Sequence, residues 1–150
     1  MKSLFLSIGV LGLAAAAAVQ SPSAGTVMSQ PQKISKAEIA GDIFKRSDVK
    51  RTQEEGQAVL DVTTLLSSDR KYATGMYRAG RSRTVISKPY GVDEFMYFVE
   101  GGVTLTSSDG SKQVVGAGEA VTIPKEWTGV WETDGYTKIW VIYSEDGSGL

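Results

Sequence analysis

The stretch Tyr90–Gly102, YGVDEFMYFVEGG, decides how the rest of the chain is read. Alternating residues of a strand point to opposite faces, so Glu94, Met96 and Phe98 share one face and Asp93 lies on the other. If that face is the inward one, Glu94 must be paired, wetted or neutralised, because a bare buried charge is costly. The strand runs into the paired glycines Gly101 and Gly102, a turn signal.

The same texture extends outward on both sides. Short β-rich runs are expected at 58–65, 72–79, 82–88, 94–99, 102–107, 112–115, 119–123, 128–132 and 137–143. SSDR, AGR, KPYG, EGG, SSDG, GAG, PKE and TDG separate them, and Asp109-Gly110 and Asp134-Gly135 read as tight turns. Many short strands rich in Val, Thr, Tyr and Trp, with no segment long enough for a crossover helix, predict an all-β sandwich or barrel. Upstream, Ser35 and Glu38 fit a capping box, so a short helical turn is expected before Gly41. KRTQEEGQ (50–57) reads as a polar loop.

At 150 residues, the chain is long enough for one domain. Sixteen basic and seventeen acidic residues nearly cancel, and even KRSDVKR (45–51) is interrupted by Asp48. This balance points away from nucleic acid and from anionic membrane surfaces. The start, MKSLFLSIGVLGLAAAAAVQSPSAG, has Lys2, an apolar run over 4–18 and a small-residue zone. It predicts a signal peptide within 1–24, cleaved near Ala18 or alternatively Ala24, and a periplasmic or secreted product with no membrane attachment after cleavage. A flexible leader and N-terminal segment are expected over 25–57, followed by the β domain over 58–150. Histidine and cysteine are both absent, so no disulfide framework and no Ser-His-Asp or Cys-His nucleophile is available.

Two motifs carry a family resemblance. In EFMYFVEG (94–101), six residues separate a glutamate from a glycine. In GEAVTIP (118–124), five residues separate a glycine from a strand-ending proline. The two follow one another across a DG hairpin, in the order of the two cupin motifs. TGMYRAGRSRT (74–84), DEFMYFVEGGVTLTSSDG (93–110), VGAGEAVTIPKEWTGVWET (115–133) and KIWVIY (138–143) resemble the small single-domain cupins related to (S)-ureidoglycine aminohydrolase and the ethanolamine-utilisation cupin. The resemblance implies a double-stranded β-helix, or jelly roll, with a site in the barrel mouth and a homodimeric assembly. In metal-binding members a His-x-His pair, the glutamate and a later histidine hold the ion. Lys88, Tyr90 and Gly129 stand at the histidine places here, leaving Glu94 as the one ligand of four. No metal and no other cofactor is therefore expected.

The remaining interior reads as an aromatic-walled cavity with a few polar groups, the usual form of a small-molecule site. Candidate catalytic residues are Glu94, Lys88 and Tyr90, as an acid–base set. Candidate ligand-binding residues are Trp127, Trp131, Met96, Phe98, Tyr77 and Arg83, while the facing of Trp140 stays open. Glu94 could instead be inertly paired with Lys88 or Arg83, and the tryptophans could simply pack. The expected function is binding of a small polar or aromatic metabolite. The alternatives are a metal-independent lyase, isomerase or hydrolase, and a structural dimerisation barrel.

Overall fold

The computed structural model describes residues 30–54 and 56–150. The expected signal segment and the start of the leader lie outside the described residues. Eight strands follow two short helical turns: α1 (Lys36–Ile39), a 3₁₀ turn (Asp42–Lys45), β1 (Lys50–Glu54), β2 (Gln57–Leu66), β3 (Tyr72–Ala79), β4 (Ser82–Ile86), β5 (Asp93–Ser107), β6 (Lys112–Gly116), β7 (Ala120–Ile123) and β8 (Gly129–Tyr143). The Ser35–Glu38 capping box is present in both directions.

All pairings are antiparallel, and β5 and β8 form the spine, paired from Asp93↔Tyr143 to Ser107↔Gly129. The first half of β5 and the second half of β8 carry β7 on one side and β3, β2 and β1 on the other. Their other halves carry β6 and β4. The spine thus belongs to both layers of a jelly roll, and the hydrogen-bonded ladder runs from β1 to β6 without closing. Between the layers lies a core that includes Met96, Phe98, Leu105, Val115, Ile123 and Trp131.

Three expectations are corrected by this arrangement. The runs at 94–99 and 102–107 are one strand, and so are those at 128–132 and 137–143. Gly101 and Gly135, read as turn residues, mark where the spine bends between layers. Both have positive φ, and a Cβ on Gly101 would lie 2.0 Å from the Gly135 carbonyl oxygen. The glycine signal for positive φ was real, but a bend inside a ladder demands it as much as a hairpin does. Finally, the polar segment at 50–54 is the edge strand β1, not a loop. An edge strand with solvated side chains shows no apolar alternation, so the ladder offered by β2 fixes it instead.

The N-terminal segment is also part of the folded body. Ile43 and Phe44 from the 3₁₀ turn are buried against Val62 and Met76 on the outer face of the first layer, with Leu60, Val99 and Ile139 around them. Strand β2 is therefore buried on both faces, with Val59 inside and Val62 outside.

Candidate functional site

Glu94 enters the barrel from β5, where its neighbours across the ladder are Ile142 of β8 and Ile123 of β7. On β8, Lys138, Trp140 and Ile142 alternate on the inward face. Lys138 Nζ meets Glu94 Oε1 at 2.7 Å, with the two residues only 5% and 3% exposed. It also lies 3.0 Å from Met96 Sδ. The Tyr90 hydroxyl donates to Glu94 Oε2. Both carboxylate oxygens are thus engaged, which meets the demand placed on an inward glutamate. Burial, reinforced by the negative charge of Glu94, pushes the Tyr90 hydroxyl far above its ordinary range, so it stays a proton donor.

Three aromatic rings surround the ammonium. Their centroids lie 5.4 Å (Tyr77), 5.2 Å (Trp131) and 5.8 Å (Tyr136) from Nζ. Cation–π attraction supplies part of the stabilisation that bulk water would give the charge, and it strengthens when the site is desolvated. Tyr136 also contacts the rings of Tyr77, Phe98 and Trp131 and ties this wall together.

This cluster faces a cavity of about 460 Å³, lined by Tyr77, Tyr90, Trp131, Tyr136 and Trp140 among its aromatic walls. Glu94, Lys138 and Asp61 are its inner charged residues, while Lys50 and Arg70 also line it. Asp61, on β2, accepts a hydrogen bond from Trp140 Nε1 at 3.2 Å. Burial raises its carboxyl above the usual value, opposed by nearby Lys50. Thr84 and Ile86 of β4 complete one side.

The structure sorts the sequence candidates. Glu94, Tyr90, Tyr77 and Trp131 line the cavity together. Lys88 does not. It is exposed beyond the end of β4, next to Pro89, and cannot form the acid–base set with Glu94. The backbone turns there so that the amides of Tyr90 and Gly91 bind the carbonyls of Trp127 and Lys125. Arg83 pairs with Glu132 at 3.0 Å on the outer side of β4, away from Glu94. Met96 and Phe98 point inward but are fully buried core beneath the cavity. Trp127 packs edge-on to Tyr90 and donates Nε1 to Ser107 Oγ at 3.0 Å, a packing role outside the cavity lining. Lys138, Asp61 and Tyr136 were missed. The signal for Lys138 lay in KIWVIY, where a lysine shares its parity with Trp140 and Ile142. Once Trp140 faces inward, so must Lys138.

The metal implied by the family does not fit these residues. The Glu94 carboxylate is taken by an ammonium and a hydroxyl. Among the described residues, no three His, Cys, Asp or Glu side chains converge. Gly129 stands at the later histidine place, and a Cβ there would lie 2.2 Å from the Thr106 carbonyl oxygen, so no side chain can occupy it. Such a donor set holds no tight transition-metal ion.

Comparison with known proteins supports the same architecture. Residues 70–138 match the family described as the EutQ-like cupin domain. The EutQ protein of Clostridium difficile is similar in structure, with a TM-score of 0.53 and 24% identity over 67% of this chain and 79% of that one. A putative ethanolamine utilization protein Q of Salmonella typhimurium gives 0.50 and 14%, over 64% and 94% of the two chains. Ectoine synthase from P. lautus gives 0.54 and 14%, over 68% and 72%. No curated protein sequence matches the chain.

Proposed function

We propose that this chain is a member of the cupin superfamily, a reading supported by its match to the EutQ-like cupin domain over residues 70–138 and its structural likeness to EutQ, and that it is an exported protein binding a small polar or aromatic metabolite in the barrel cavity. The observation that carries the reading is the Lys138–Glu94–Tyr90 cluster facing a cavity instead of being sealed in the core. A purely structural barrel would have little use for a buried ion pair beside an open space of that size, since apolar filling is often the more stable solution. Aromatic walls around a few oriented polar groups are the usual build of a small-molecule site. The export component rests on the apolar N-terminal run.

Binding is favoured over catalysis at Glu94 for a geometric reason. Its two oxygens are already committed to Lys138 and Tyr90, so it is not a free base, and the amine beside it is Lys138 instead of Lys88.

A thermal-shift screen of the protein against metabolites and Mn, Fe, Ni and Zn salts tests this reading, because ligands of the native state raise the melting temperature with concentration. Organic hits are expected to lose their effect in Trp131→Ala, and the metal salts are expected to have none. Saturable stabilisation by one of those metals, or organic hits indifferent to Trp131→Ala, would overturn the reading.

A further inference from the structure

The cavity has a second polar centre two strands along from the first. In the ladder, Lys50 faces Asp61, Asp61 faces Tyr77, and Tyr77 faces Lys138, so these residues form one cross-strand row. All four line the cavity. Two strand spacings separate the backbones of Asp61 and Lys138, about 9–10 Å. The Tyr77 ring lies between them and also holds the Lys138 ammonium near its face.

Asp61 is held in place by a device that spans three strands. Trp140 lies across Gly75, where a Cβ would come within 2.4 Å of the indole ring. The missing side chain lets the indole reach over β3 to donate to Asp61 Oδ1. Among the described residues, no hydrogen bond or ion pair engages Oδ2 in the way that Glu94 is engaged at both oxygens. At the other pole, the Lys138 ammonium has three N–H donors. Glu94 and Met96 take two, leaving one on a side chain that lines the cavity.

We propose that Asp61 and Lys138 are the two poles of the ligand site, Asp61 accepting an O–H or N–H of the ligand and Lys138 donating to a carbonyl-type acceptor at its far end. The cavity therefore favours flat compounds that carry a donor at one end and a carbonyl at the other, such as hydroxy-carbonyl compounds, with the body laid along Tyr77. This inference rests on the binding function proposed above and names the class of its ligand. Partial burial raises the Asp61 carboxyl above the ordinary aspartate value, opposed by the nearby Lys50.

The test uses three probes on the intact protein by isothermal titration: para-hydroxyacetophenone, acetophenone without the hydroxyl, and phenol without the carbonyl. Para-hydroxyacetophenone is expected to bind tightest. Asp61→Ala should weaken it about tenfold, the scale of one lost hydrogen bond to a charged group, while leaving acetophenone unchanged. Asp61→Asn keeps the shape and an acceptor for Trp140, and should give an intermediate loss. It also guards against misfolding of the alanine variant. Equal effects of Asp61→Ala on para-hydroxyacetophenone and acetophenone, or no effect on either, would overturn the role of Asp61 while leaving the cavity a binding site. Failure of all three probes to bind the wild type, while the thermal-shift screen still finds organic ligands, would overturn this inference and leave the binding function standing.

Discussion

A glutamate inside a jelly roll must be answered by something, and here a lysine from the opposite spine strand answers it. The pair is buried, so its two members stand or fall together. Lys138→Met is expected to destabilise the protein by about 3–5 kcal/mol, because it leaves the Glu94 charge with Tyr90 as its remaining donor. Adding Glu94→Gln to that variant should recover most of the loss, since a neutral amide no longer needs a counter-charge. Urea unfolding of the single and double variants measures this. A double variant as unstable as the sum of the singles would show that the two residues act separately. Of this cluster, Glu94 and Tyr90 were legible in the sequence through strand parity and motif spacing. Lys138 was not, because the facing of KIWVIY could not be fixed without knowing which layer β8 serves.

At the level of the elements, each spine strand is continuous where two shorter strands were expected. Strands β5 and β8 each bend at glycine and so serve both layers, and on the inward face of their paired segment Lys138, opposite Phe98, reaches along to Met96 and Glu94. This geometry also closes the route back to a metal site. Gly129→His would restore the residue type that metal-binding cupins use there, yet its Cβ meets the Thr106 backbone at 2.2 Å and the Trp127 ring at 2.7 Å. A backbone carbonyl cannot move aside cheaply, so Gly129→His is expected to lower stability by about 1–3 kcal/mol or more, without creating affinity for Zn. Denaturant unfolding and a Zn titration check the two outcomes. A stable variant that binds Zn tightly would contradict the packing described for β8.

Across the whole molecule, the N-terminal segment finishes the fold instead of leading into it. Ile43 is fully buried under the outer face of the first layer, with Phe44, Val62 and Met76. Ile43→Ala should cost about 2–5 kcal/mol, the range for a core isoleucine whose cavity only partly collapses. A lowered denaturation midpoint is the expected reading, and an unchanged one would mean that the segment is not docked in solution. The sequence by itself determined the all-β class, the two cupin-like motifs and the α1 capping box. These depend on local periodicity, glycine spacing and caps, all of which act over a few residues. Only the tertiary structure decided that β1 is a strand, that Lys88 faces water, that Lys138 partners Glu94, and that Asp61 looks across Tyr77 at that pair. Each of those depends on which strands lie side by side, and ladder order is set by the packing of residues dozens of positions apart.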